Sequence, residues 1–177
     1  MLIAAADAGC HVYMEKPFCR DLVEADEVVN AFDMRHLHLG IAHIAQYSPV
    51  LDTVLKLVAD GVIGDLLELR GRGKEDHRGG GEDLWVLGSH LFALMRQFGG
   101  GQPSACTAVV RQSGQPIRRA DVVNGNEGIG LLAGDHIQAT YEFADGITGY
   151  FASRASKGGN PSRFGLQVFG SRGVIEM

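Results

Sequence analysis

The chain is short of most features that would announce a function. Its three cysteines, Cys10, Cys19 and Cys106, are scattered and form no CxxC pair. An odd, dispersed set argues against a disulfide framework and for a reducing compartment, so a cytoplasmic location is expected. No apolar run approaches the roughly 20 residues that span a bilayer, and Leu2 to Ala6 lacks the basic leader of a signal peptide. Charge of one sign is missing too: 16 Lys and Arg stand against 21 Asp and Glu, a formal net charge of −5. Nucleic-acid binding wants a basic face. The one basic cluster, Arg70, Arg72, Lys74 and Arg78, is interleaved with Glu75, Asp76, Glu82 and Asp83. Neither nucleic acid nor membrane is expected as a partner.

Metal and phosphate signatures are equally thin. Structural zinc sites draw on close pairs such as CxxC or HxxxH. The cysteines here are isolated, and His36-x-His38 falls on a helix-to-strand connection, so no metal is expected. Gly128 to Ala133 spells GxGxxA, but that motif cradles phosphate only where it follows a strand and opens a helix. Gly134-Asp135 follow at once and the next segment reads as a strand, so the match is rejected. There is no Walker A sequence and no internal repeat.

What is present is a globular composition: 177 residues, 45% hydrophobic and 21% charged. That is enough for one well-packed domain and too little for two full ones. Leu2–Ala8 reads as the end of a helix closed by Gly9, an unusual way to begin, so Met1 is expected to be internal to a longer reading frame. Val12–Met14 reads as a strand. Asp21 caps a helix with Glu24 reaching back, whose apolar face is Leu22, Ala25, Val28, Val29 and Phe32. Leu37–Ile44 is expected as a second strand, which makes a right-handed βαβ unit. Ser48 and Pro49 open a third helix, with Val50, Leu51, Val54, Leu55 and Val58 as its stripe and Gly61 as its stop. Leu66–Arg72 is a strand.

From Gly71 to Asp83 the chain is polar and glycine-rich. It reads either as a solvated loop or as one that closes over a substrate. A helix opens at Gly88 or Ser89 and ends at Gly99. Beyond it, strands near Cys106–Val110, Ile137–Phe143, Ile147–Ser153 and Phe164–Phe169 form a meander, with Asp145-Gly146 as a hairpin turn. The fold class is α/β plus α+β: a remnant of a parallel sheet, residues 1–45, followed by an open, mainly antiparallel sheet with helices on one face, residues 46–177. A free apolar sheet face would favour a homo-oligomer.

Two side chains stand out. Glu15, Lys16 and Pro17 follow the first strand, and strand carboxyl ends are where α/β sheets bind ligands. Pro17 stiffens the exit, so Lys16 can be aimed; the plain alternative is a lysine that stays in water. His90, placed in the first turn of a helix, would be held neutral by the helix dipole and could accept a proton from a hydroxyl. The alternative there is a histidine packed against its helix.

In this order, the Ala-rich helix, His11-Val12-Tyr13, Glu15-Lys16-Pro17, Tyr47-Ser48-Pro49, Gly61-Val62-Ile63-Gly64, Gly79-Gly80-Gly81 and Gly88-Ser89-His90 resemble the Gfo/Idh/MocA oxidoreductases. The resemblance covers nearly the whole chain, and Glu-Lys-Pro is its most specific part. It implies hydride transfer between NAD or NADP and a hydroxyl of a sugar, cyclitol or related polyol. It places Lys16 and His90 in catalysis and Glu15, Lys16 and Pro17 beside the cofactor. His43, Lys74, Asp83 and His90 would meet substrate, with His43 or Asp83 assisting the proton transfer. The family's usual aspartate four residues before the histidine is Val86 here, its frequent acidic residue three after is Ala93, and Gln46 stands where arginine is frequent. The family's first strand and GxGxxG turn, on the order of 80 residues, have no counterpart, so this chain by itself is expected to bind cofactor weakly or not at all and to be inactive alone. Competing readings are an NAD-dependent glycosidase of the same fold, a non-catalytic binding or oligomerisation module, and an unrelated α+β domain.

Overall fold

The computed structural model describes residues 1–156 and 163–177. The Gly/Asn/Pro/Ser loop expected ahead of Phe164 falls on residues 157–162, outside the described residues. Two sheets carry the architecture. The first is a parallel pair, β1 (Val12–Met14) and β2 (Leu39–Ile41), in which Met14 pairs with Ile41 so that the strands end level. Helices α1 (Leu2–Asp7) and α2 (Leu22–Asp33) pack beside it through Ala6, Val28, Ala31 and Phe32. Asp21 caps α2 as expected, accepting from the Glu24 N–H at 2.8 Å. Glu24 reaches back one residue further than a capping box, taking the Arg20 N–H at 2.8 Å and the Arg20 guanidinium. Two residues of the expected stripe do not bury: Leu22 and Val29 face outward, and the seam runs through Val28, Ala31 and Phe32 instead.

The second strand is shorter than expected. It stops at Ile41, because the His43 N–H turns back to the Ile41 carbonyl at 2.8 Å and the chain enters a 3₁₀ turn over Ile44–Tyr47. Ser48 then caps α3 (Pro49–Ala59), accepting from the Val50 N–H at 3.3 Å, with Pro49 at the first helical position.

The larger sheet has seven strands: β3 (Leu66–Arg72), β4 (Ala105–Gln112), β5 (Gln115–Pro116), β8 (His136–Glu142), β9 (Thr148–Arg154), β10 (Gly165–Gly170) and β11 (Val174–Glu176). Their order is β11-β10-β3-β9-β8-β4-β5; β3 and β9 run parallel and every other pair antiparallel. A small ribbon, β6 (Val123–Asn124) with β7 (Leu131–Leu132), lies apart and contains the end of the rejected GxGxxA match, with no helix behind it. The hairpin between β8 and β9 turns through Asp145 at φ 57° and Gly146 at φ 76°, positive values that Asp and Gly tolerate.

Alternation sends Leu69, Ile137, Ala139, Phe151, Leu166 and Val168 to one face of the sheet. There they meet Leu51 and Val54 of α3 and Leu91, Leu94, Met95 and Phe98 of α5 (Ser89–Phe98). The opposite face is polar, not apolar as expected. It presents Glu68, Arg70, Gln138, Thr140 and Tyr150, and the Arg70 guanidinium sits 4.4 Å from the Phe169 ring centroid and 5.7 Å from that of Tyr150.

Candidate active site

The level ends of β1 and β2 decide where the polar side chains gather. Lys16 lies two residues beyond β1, and His43 two residues beyond β2. The Ala42 N–H bonds to the Met14 carbonyl at 2.8 Å, which keeps the two exits side by side. The Lys16–Pro17 peptide is cis. From there the Lys16 ammonium donates to the Val86 carbonyl at 2.6 Å, joining the small sheet to the helical layer of the large one.

Val86 belongs to a helical run longer than expected. Gly81–Asp83 forms a short α-turn, α4; Leu84–Gly88 is a π-turn, and α5 follows without a break. His90 is therefore not in a helix's first turn, and the dipole of a free N-terminus does not act on it. Its proton affinity is lowered all the same, first by burial, then by the Lys16 ammonium and by His43, with Glu15 opposing. His43 is lowered by burial and by Lys16. The two imidazoles meet edge to face, centroids 5.8 Å apart and planes at 81°. Each has a buried Nδ1 without a hydrogen-bond partner among the described residues. A buried polar atom left unpaired is costly, so a pair of them marks a place shaped for polar groups from elsewhere.

Lys16, His43 and His90 thus come together, with Glu15 near enough to act on His90. Asp83 and Lys74 do not join them. Asp83 is fully buried, and its Oδ2 accepts from Ser153 Oγ at 2.5 Å and from the Glu75 N–H at 3.3 Å. Burial raises its proton affinity against those two hydrogen bonds. Its Oδ2 is thus committed to the loop, and its Oδ1, also buried, has no hydrogen-bond partner among the described residues. Lys74 is half exposed, its Nζ 3.6 Å from Asp76.

The glycine-rich segment is a clamp and not an open lid. The Gly80 N–H donates to Ser153 Oγ at 3.0 Å, the Gly81 N–H to the Gly134 carbonyl at 2.9 Å, and Ser156 Oγ to the Glu75 carbonyl at 2.6 Å. Gly80, at φ 87°, lies so close to the Gly134 carbonyl that a Cβ would come within 2.4 Å of it. Glu75 is buried, with Arg72 and Arg163 on its carboxylate. Nothing in the sequence marks the Val86 carbonyl as a partner of Lys16, because a backbone acceptor leaves no trace in residue type. Beyond His90 lies a largely apolar cavity of about 500 Å³ whose walls include Ile44, Leu87, Leu94 and Met177.

A family model described as the GFO/IDH/MocA C-terminal domain matches residues 51–176. The levoglucosan dehydrogenase of Pseudarthrobacter phenanthrenivorans is 24% identical over 197 residues, covering 98% of this chain and 50% of that protein. The scyllo-inositol 2-dehydrogenase (NADP(+)) of Bacillus subtilis is 28% identical over 120 residues, 61% of this chain and 33% of that one. A crystal structure of an inositol dehydrogenase homolog from Azotobacter vinelandii, complexed with NADH and myo-inositol, superposes with a TM-score of 0.74 at 17% identity, covering 99% of this chain and 46% of that one. The chain thus spans a third to a half of the length of these relatives.

Proposed function

The chain belongs to the GFO/IDH/MocA family, and on that premise we propose that it supplies the proton-transfer side of an NAD- or NADP-dependent oxidoreductase acting on a hydroxyl of a sugar, cyclitol or related polyol. One observation carries the reading. The Lys16 ammonium and two neutral imidazoles with orphaned Nδ1 atoms converge where β1 and β2 end.

The same observation tests whether a nicotinamide nucleotide fits. Glu15, Lys16 and Pro17, leaving β1 at the carboxyl end of the parallel pair where such ligands bind, would hold its nicotinamide end. When bound, that cofactor supplies the two-electron acceptor. This chain's own residues handle the hydroxyl. Lys16, a cation beside the site, stabilises negative charge developing on the substrate oxygen. His90, kept neutral by burial and by Lys16, accepts the hydroxyl proton at a ring nitrogen, and His43 stands edge-on to share it. Asp83 and Lys74 have no part in these steps. Residues 1–45 form the cofactor side and residues 46–177 the substrate side. Association of copies through the large sheet would run by polar contacts across Glu68, Arg70, Gln138 and Tyr150, since that outer face is not the apolar one the expectation assumed.

The relatives' printed names, for dehydrogenases of levoglucosan and inositols, support the substrate class. The test is to express the open reading frame carrying this chain, with whatever codons precede Met1 in frame. The product is offered NAD+ or NADP+ with a panel of cyclitols, free sugars and anhydrosugars. Nucleotide reduction with ketone formation supports the reading. Release of free sugar from a glycoside with no net nucleotide reduction would assign it to the glycosidase branch instead. Dimerisation without any turnover would leave it a binding module.

A further inference from the structure

We propose that the Val86 carbonyl, presented by the π-turn Leu84–Gly88, is the positioning group that aims Lys16 at His90. The purpose of that aim rests on the function proposed above; the anchoring itself rests on geometry alone. A π-turn bonds each carbonyl to the fifth N–H onward rather than the fourth, so where it interrupts an α-helix the regular ladder is broken and carbonyl groups are shifted out of register. Within this turn, the Val86 oxygen receives Lys16 Nζ at 2.6 Å from a residue 70 positions away. Val86 as a whole is only 4% exposed, so the contact is made away from bulk water.

Direction follows from helix geometry. Helical carbonyls point toward the C-terminus, and residues 86 and 90 are one turn apart, so the Val86 oxygen opens onto the turn that carries His90. An ammonium held there lies beside His90 and, through it, beside His43. The charge sign of the anchor matters as well. A carboxylate in this place would cancel the ammonium, whereas a neutral carbonyl fixes its position and leaves its charge intact. Among the described residues Lys16 has no ion pair. The charged group that opposes Lys16 at His90 is Glu15, whose influence is the weaker. An intact positive charge beside the two imidazoles adds to burial, the larger cause, in lowering the proton affinity of both.

The test uses the 177-residue chain without cofactor. Imidazole titrations of His43 and His90 are followed by NMR in three proteins: the unmodified chain, Lys16→Met, and a chain in which Leu87 is replaced by its α-hydroxy acid. That last change turns the 86–87 amide into an ester and weakens the Val86 carbonyl as an acceptor, with every side chain kept. We expect both histidine midpoints to move upward in Lys16→Met, and to move the same way, by less, in the ester. Unmoved midpoints in the ester beside moved ones in Lys16→Met would overturn the anchoring, as would unmoved midpoints in both. If the ester does not fold, a crystal structure of the unmodified chain decides, and Lys16 Nζ lying beyond hydrogen-bond reach of the Val86 oxygen refutes it. Neither readout involves turnover, so a chain inactive with every polyol can still pass, and an active one can still fail.

Discussion

Replacing Asp83 separates its role as a buried acceptor from its role as a buried charge. Its Oδ2 takes the Ser153 hydroxyl at 2.5 Å and the Glu75 N–H at 3.3 Å, while its Oδ1 has no partner among the described residues. Asp83→Ala removes the one oxygen that accepts both hydrogen bonds and leaves the Ser153 hydroxyl and the Glu75 N–H buried and unpaired. Each orphaned donor costs about 1–3 kcal/mol, so a loss of roughly 2–6 kcal/mol in unfolding free energy is expected. Asp83→Asn keeps one oxygen for the same two donors and discards the charge, so it is expected to cost much less. The pH dependence gives a second handle. Burial raises the Asp83 proton affinity in the folded state, so its contribution to stability is full below the unfolded value, about 3.9, and is lost as pH rises through the folded one. Relative to wild type, Asp83→Asn should therefore gain as pH rises above that unfolded value. Urea denaturation of the three proteins across the acid-to-neutral range measures it. Asp83→Ala proving no worse than Asp83→Asn, or Asp83→Asn losing ground with rising pH, would refute the reasoning.

Other consequences follow from single contacts. Gly80→Ala forces a side chain into a positive-φ conformation against the Gly134 carbonyl, and should cost upwards of about 1–2 kcal/mol in urea unfolding; an unchanged midpoint would mean the clamp is not seated as described. Phe151→Ala, at 1% exposure with its ring tilted against Phe92 at 5.1 Å, should lose about 3–5 kcal/mol by the same assay. His43 and His90 bind protons less readily folded than unfolded, so the stability they contribute is present above the ordinary histidine value and lost as pH falls through the lowered folded values. The double variant His43→Gln/His90→Gln should flatten the acid decline of the unfolding midpoint, and an unaltered slope would rule out these two groups as its source.

Much of this layout was legible because local chemistry and tertiary packing agree. Asp21, Ser48-Pro49 and the alternation from Ile137 to Tyr141 each specify one local structure, and the fold keeps it. Leu22 and Val29 failed the pattern because a helix with two apolar flanks buries only the flank that finds a partner, and α1 meets Val28, Ala31 and Phe32. Gly79-Gly80-Gly81 looked like slack chain, since composition does not distinguish glycines chosen for mobility from glycines chosen for close backbone approach. The helix start at Gly88 or Ser89 misled for a related reason: a π-turn has no residue signature, so the run from Gly81 onward was invisible. Lys16, His90 and His43 were found as residue types. Their meeting depends on strand ends, on that hidden turn and on a carbonyl.

The most direct test of the whole account is Lys16→Met in the in-frame gene product, with turnover and nucleotide affinity measured side by side on the best polyol found. An ammonium that acts on the reacting oxygen predicts a fall in kcat on the order of 100-fold or more, as for other positioned acid–base and electrostatic groups, with nucleotide Kd changed only a few-fold. Turnover near wild type, or a loss confined to nucleotide binding, would contradict it and return Lys16 to an ordinary strand-end lysine.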